Sequence, residues 1–386
     1  MKDMHTLNKR IGIIGGGQLG KMMILEAKRL GFYVITLDPT PDCPSHSISD
    51  EHIVAEFDDD DAIVALASKV DVVTYEFEHI GVSGLQRAVD QGYTVYPSVE
   101  SLRIIQDKYT QNQRLQEEGV PLPKFRKVTC TEDIYQVGEE YGYPMMLKAT
   151  RGGYDGKGNA LIKTKDNVEE AYASLGLGAV PLMIEEFIPF DLEVSIIACR
   201  GIDGSRQIYP VAENTHFHSI LDTSIIPARI SSDIAEKAKA IGEQVMEIFT
   251  GVGTFCVELF VCGENIFVNE VAPRPHNSGH YTIEGTFANQ FENHIRAITG
   301  LALGSVDLIQ PTVMVNLLGV ESDGKTVVEG LEETYARFPN VHAHVYGKLE
   351  SKIDRKMGHY TVVSQDLETA IREADLVKGI LKIKGV

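Results

Sequence analysis

The sequence has no Cys-x-x-Cys pair, no basic tract, no low-complexity linker and no run of about 18 apolar residues. Each absence excludes something. The five cysteines, Cys43, Cys130, Cys199, Cys256 and Cys262, lie mostly in apolar runs, as free thiols of a reducing compartment do, so neither a disulfide scaffold nor a cysteine-ligated metal is expected. Without a long apolar run no helix is expected to span a membrane. The apolar run at 11–14 is cut at once by Gly15–Gly17, too short for the core of a signal peptide, and the expected location is the cytoplasm. Lys plus Arg number 36 against 55 Asp plus Glu, a net charge of −19, so a phosphate backbone would be repelled and nucleic acid is not an expected partner. What is present is ordinary for a soluble enzyme: 386 residues, 43% hydrophobic and 24% charged. That length is too great for one core and implies two or three domains.

The first hundred residues alternate apolar strands (11–14, 33–37, 70–75, 94–96) with helical stripes such as 19–30, which predicts a doubly wound parallel sheet. Ser98 caps a helix beginning near Val99, and 106–118 reads as a second helix. From Pro121 the texture changes. Strands at 125–128, 144–148, 182–187 and 192–199 surround a helix at 131–141 and the glycine-rich stretch 152–158, and a long helix at 233–249 precedes a hairpin, 254–261 and 265–271. Short strands at 312–317, 342–346 and 360–363 and a helix at 367–377 complete the pattern. The expected division is 1–100, a Rossmann-like unit; 101–304, with a lid at about 125–188; and 305–386, a small β-rich unit.

Four constellations carry chemistry. Gly15-Gly16-Gly17-Gln18-Leu19-Gly20 sits between a strand and a helix, with Asp38 ending the next strand, and fits either a dinucleotide turn or a tight turn whose helix N-terminus takes another group. Arg151-Gly152-Gly153-Tyr154-Asp155-Gly156-Lys157-Gly158 lacks the Ser or Thr of a P-loop, yet its four glycines suit either a plain hairpin or a flap over phosphates. Lys148, ending the apolar strand before it, needs an anion, which a nucleotide phosphate would supply. Glu258 and Glu270 lie on the two arms of the hairpin. If Gly263 faces Asn265 across the turn they fall opposite each other, and two facing carboxylates repel unless a cation such as Mg²⁺, an arginine, a lysine or a shared proton intervenes. Asn269 adds an oxygen nearby. The loop Ala272-Pro273-Arg274-Pro275-His276-Asn277-Ser278-Gly279-His280 suits an anionic substrate, and Lys348, Lys352, Arg355 and Lys356 form either a phosphate grip or a solvated run.

These elements, in this order, resemble the ATP-grasp superfamily, and within it the N5-carboxyaminoimidazole ribonucleotide synthetase family. The resemblance rests on Gly15–Gly20, Thr74-Tyr75-Glu76-Phe77-Glu78, Gln106-Asp107-Lys108, Gly152–Gly158, Glu185-Glu186-Phe187-Ile188, Phe267–His280 and Arg355-Lys356-Met357-Gly358-His359. It implies an ATP-grasp fold with an N-terminal doubly wound parallel sheet and a small C-terminal β-rich domain. It also implies an ATP-dependent ligase that carboxylates 5-aminoimidazole ribonucleotide with bicarbonate, through carboxyphosphate, in purine biosynthesis. By the same resemblance Glu185 and the backbone of Glu186, Phe187 and Ile188 read adenine, and Glu193 holds the ribose with His216 nearby. Lys108, Lys148 and the flap residues Gly153, Tyr154, Asp155, Gly156, Lys157 and Gly158 hold phosphates, and Asn269 joins Glu258 and Glu270 around two Mg²⁺ ions, replaceable by Mn²⁺. Tyr154 and Asp155 meet the amino-imidazole; Arg274, Lys348 and Arg355 meet the nucleotide's phosphate, with His276 and Asn277 alongside; Gln18 and Glu76 touch the acceptor. Asp155, Lys157 and Arg274 are the expected catalytic residues, and a homodimer is the expected assembly.

The sequence departs from the family pattern in places. Glu213-Asn214-Thr215-His216-Phe217-His218 leaves open which histidine faces the nucleotide, and Lys108 and Lys157 stand where relatives often carry arginine. Two other functions compete: another ATP-grasp carboxylate–amine ligase, such as a formate-dependent glycinamide ribonucleotide transformylase, and an NAD-dependent oxidoreductase built on Gly15–Gly20, which leaves Glu258, Glu270 and the second glycine loop without a task.

Overall fold

A computed structural model describes residues 9–153 and 158–386. Strands Arg10–Ile14, Tyr33–Leu37, Glu51–Ile53 and Val72–Tyr75 form the first sheet, all parallel, with Arg10–Ile14 between Tyr33–Leu37 and Val72–Tyr75. Ile11, Ile13 and Ile14 are fully buried, as strands covered by helices on both faces must be. The chain leaves the central strand toward one neighbour and later returns on its other side. The carboxyl ends of Arg10–Ile14 and Val72–Tyr75 therefore make a switch point, the place where open α/β sheets present their ligand-binding loops. The expected strand at 94–96 is only a bridge, Val95 to Val73; Pro97, which has no N–H, ends the ladder there.

The second sheet is antiparallel, in the order Phe125–Val128, Leu182–Glu186, Met145–Ala149, Asn159–Ile162. Helices Thr131–Tyr141 and Val168–Ser174 cover it through Ile134, Val137, Val168 and Ala171. It meets the helix Lys108–Glu117 at that helix's first residue, where Lys108 N–H donates to Thr150 O at 2.8 Å. Asp107 caps that helix through Thr110 N–H and takes Arg151 Nε at 3.0 Å on its other oxygen. The cap is why the helix starts at Lys108 rather than at Gln106.

The third sheet has 12 strands and runs across the boundary expected near residue 304: Ile220–Ile226 pairs with Thr312–Val320, which pairs with Lys356–Val363. The long helix Ser232–Phe249 packs Ile241, Val245 and Phe249 on its central strands, and Leu367–Lys378 covers the far end. The hairpin Gly253–Cys262 and Asn265–Ala272 corrects the expected register. Cys262, not Gly263, faces Asn265, and this longer, two-residue turn by itself would set Glu258 against Asn269. A bulge between Glu258 and Leu259 leaves Asn269 as an extra residue, so that Glu258 does face Glu270. Two further shifts occur, at Thr215/His216 and at Leu317/Leu318, opposite Met357.

Candidate active site

The three units enclose one cleft of about 710 Å³. Its first wall is the switch point. Gly15 has φ +103°, and a Cβ there would lie 2.3 Å from Glu76 Cγ, so only glycine lets the turn close on this side chain. Glu76 accepts from Gly17 N–H at 2.6 Å and Gly20 N–H at 2.7 Å, and Asp38 accepts from Gly16 N–H at 2.7 Å. The helix N-terminus that a dinucleotide phosphate would use is already filled by the protein's own carboxylate, and this corrects the NAD alternative. Burial lifts the Glu76 carboxyl above its ordinary range despite the two backbone donors. Gln18 and Glu76 both line the cleft.

The opposite walls carry the charges. Lys108 Nζ sits 2.7 Å from Glu270 Oε2. Burial would raise Glu270, but the charge and hydrogen bond of Lys108, with Lys148 behind it, hold it below the usual carboxylate range. Glu258 has no such partner among the described residues: burial first, and the charge of Glu270 second, push it up to about 7. The bulge lets two successive residues, Asn269 and Glu270, both face the cleft, which regular strand alternation forbids. Among the described residues no group of three or more His, Cys, Asp or Glu is arranged around a metal; the acidic site is a pair. Lys148 Nζ is ion-paired with Glu185 and lies 3.4 Å from Asn269 Oδ1, while Asn112 Nδ2 donates to Glu185 at 2.9 Å. Within the protein itself, the carboxylate paired with Lys148 is that of Glu185. That carboxylate is buried, and it lines the cleft together with Glu186, Phe187 and Ile188.

Glu193, Glu258 and His216 come from three adjacent strands, where Glu193 faces Phe260 on one side and Asn214 on the other. His216 Nδ1 is ion-paired with Glu193, and although burial works against its charge, that partner holds the imidazole above its ordinary value. His218 sits in the turn with φ +50°, stacked on exposed Phe217. The structure thus puts His216, not His218, in the cleft. Arg274, His276 and Asn277 follow from the hairpin; Arg274 pairs with Glu78, and both side-chain polar atoms of Asn277 are buried without a partner among the described residues.

Lys348 and Arg355, expected with Arg274, do not line the cleft: Lys348 Nζ donates to Lys356 O at 2.6 Å and Arg355 Nη1 to Glu350 O at 2.9 Å. Lys356 lines it instead, set at the register shift opposite Leu318. Gly153 lines the cleft; Gly158 lies at the flap's base, accepting from Ala149 N–H at 2.8 Å; Tyr154, Asp155, Gly156 and Lys157 lie outside the described residues. Sequence reasoning missed Glu78, whose only signal was its place in Thr-Tyr-Glu-Phe-Glu, and the stacked pair Phe190 and Phe260 (4.6 Å, 9°), which read as ordinary core.

Residues 8–106 match the ribonucleotide synthetase preATP-grasp domain, 113–291 the ATP-grasp domain and 312–373 the phosphoribosylaminoimidazole carboxylase C-terminal domain. A Staphylococcus saprophyticus protein named N5-carboxyaminoimidazole ribonucleotide synthase is 40% identical over 92% of this chain and 93% of its own length. The crystal structure of the N5-carboxyaminoimidazole ribonucleotide synthetase from Thermotoga maritima superposes with a TM-score of 0.89 at 44% identity, covering 98% of this chain and all of that one. The Aspergillus clavatus synthase, in complex with ADP and 5-aminoimidazole ribonucleotide, gives 0.89 at 32% identity over 97% of this chain and 98% of its own. The chain belongs to the N5-carboxyaminoimidazole ribonucleotide synthase family of ATP-grasp enzymes.

Proposed function

We propose that this enzyme uses ATP to carboxylate 5-aminoimidazole ribonucleotide with bicarbonate, giving N5-carboxyaminoimidazole ribonucleotide, ADP and phosphate in purine biosynthesis. A bicarbonate oxygen attacks the γ-phosphorus and ADP leaves with the electron pair of the broken P–O bond. The amine then attacks the carboxyl carbon, or CO₂ released from the anhydride; phosphate departs and the amine loses a proton. Phosphoryl transfer needs positioning and charge neutralisation more than covalent help. The observation that carries the proposal is the convergence of Lys108, Lys148, Asn269 and Glu270 at the floor of a cleft bounded by the glycine loop.

Glu258 and Glu270 fit a magnesium site, because a partly buried carboxylate pushed up to about 7, by burial first and its acidic neighbour second, is stabilised by a divalent cation. Mg²⁺ held there with Asn269 would neutralise charge on polyphosphate oxygens. The ribose hydroxyls are assigned to Glu193 and His216, whose side chains are paired at the cleft. Arg274, His276, Asn277 and Lys356 form the oxyanion end, and Tyr154 and Asp155 are the residues assigned to the amino-imidazole from the sequence. The cytoplasm is the proposed location and a homodimer the proposed assembly, which light scattering measures. Phosphate release should require both bicarbonate and 5-aminoimidazole ribonucleotide for full rate; release supported equally by formate and glycinamide ribonucleotide would overturn the assignment in favour of the other carboxylate–amine ligation.

A further inference from the structure

Of the acidic side chains on the cleft wall, Glu78 has no part in the chemistry above. It lies in the loop leaving strand Val72–Tyr75, and that loop is clamped by Gln106, whose Nε2 donates to Glu78 O at 2.7 Å and to Ile80 O at 3.0 Å. Held in this way, its carboxylate meets Arg274, whose Nη2 lies 2.8 Å from Oε1 and 3.0 Å from Oε2. The two side chains are only 15% and 16% exposed. Arg274 Nη1 donates to Pro275 O at 3.1 Å, and Nε is buried with no partner among the described residues. Glu270 is also within electrostatic reach of the guanidinium, yet it belongs to Lys108. Arginine is a long, flexible, permanent cation, and an unpaired one in a partly buried site swings to the nearest carboxylate.

Taking Arg274 as an oxyanion ligand, as the proposed function does, we propose that Glu78 is a positioning residue: it fixes the Arg274 guanidinium so that Nε–H is left for a substrate oxyanion, and keeps it away from Glu270. The first domain would thereby set the geometry of a side chain carried by the third sheet. Both substrates that end in oxyanions, bicarbonate and the ribonucleotide phosphate, present the chemistry such an arginine takes.

Steady-state kinetics of Glu78→Gln, Arg274→Lys and the double variant, with the Arg274 Nε–H resonance recorded in each arginine-containing form, test this. Glu78→Gln should raise KM for one oxyanion substrate about tenfold while leaving KM for ATP within about twofold, the scale of one charge-assisted contact. The KM that moves, for bicarbonate or for the ribonucleotide, identifies the source. In the Arg274→Lys background the same substitution should add less than about twofold, because lysine has no planar fork to orient. Arg274 Nε–H should be a sharp, slowly exchanging signal in the unsubstituted enzyme and broadened in Glu78→Gln. An unchanged resonance, unaltered kinetics, an equal rise in every KM, or fully multiplicative effects in the double variant would each overturn the proposal. A broadened resonance in an enzyme that shows no bicarbonate-dependent turnover would uphold the positioning and refute the reaction instead.

Discussion

At the scale of single residues the cleft is a set of charges divided among partners: Lys108 with Glu270, Lys148 with Glu185, His216 with Glu193, Arg274 with Glu78. Glu258 is driven toward neutrality by burial and by the charge of Glu270, with His276 Nε2 no closer than 3.7 Å. His276 cannot supply the missing charge, since burial and then the nearby Arg274 keep its imidazole neutral well below the ordinary pKa. The contrast between two histidines two positions apart gives a direct prediction. His216→Ala removes the side chain paired with Glu193 and should raise KM for ATP about tenfold, whereas His218→Ala, on the exposed turn, should leave it unchanged. Equal effects from the two variants, read in initial-rate assays, would contradict the placement.

At the scale of elements the glycine turn shows how a motif can be legible and its use concealed. Gly15 is closed on by Glu76, whereas Gly31, at φ +80°, would set a Cβ in open space. Gly15→Ala should therefore cost about 3 kcal/mol, from backbone strain plus overpacking, and Gly31→Ala only about 1 kcal/mol from strain. Thermal denaturation of the two variants measures the difference, and similar melting temperatures would refute it. The turn's spacing was readable in the sequence, as were the parallel sheet, the helix Thr131–Tyr141 to the residue and both arms of the acidic hairpin. Its occupant was not, because Glu76 reaches Gly17 and Gly20 across 59 and 56 positions that no local pattern encodes. The pairing of Glu258 with Glu270 was anticipated through the wrong turn geometry; a bulge adds a residue without leaving a periodicity to detect. Lys348 and Arg355 looked equivalent to Lys356 in a basic run, and only the register at Leu318 selects Lys356 for the cleft.

At the scale of the whole molecule, buried histidines tie the units together. His294 is fully buried, 2.8 Å from Thr74 Oγ1 in the first sheet, and its Nδ1 accepts from Thr254 N–H of the third sheet at 3.1 Å. Burial lowers its pKa from 6.5 to about 3. His280 and His359, stacked 4.6 Å apart between the Arg274 loop and the last strands, are likewise held far below their ordinary value by burial. Each is neutral when folded and takes a proton at the ordinary pKa when unfolded. The unfolded state therefore binds more protons below about pH 6.5, and stability falls as pH drops through that range, by up to about 1.4 kcal/mol per unit for each histidine. Melting temperature should fall steadily between about pH 7 and pH 5, and His294→Gln should soften that slope; a flat profile would contradict the assignment of neutral buried histidines.

All three scales meet in the claim that ATP phosphorylates bicarbonate in this cleft. Turnover with oxygen-18-labelled bicarbonate and mass analysis of the released phosphate tests it most directly. Transfer of one labelled oxygen into phosphate, dependent on 5-aminoimidazole ribonucleotide for full rate, is the predicted result; phosphate carrying only unlabelled oxygen, with carboxylated product still formed, would contradict it.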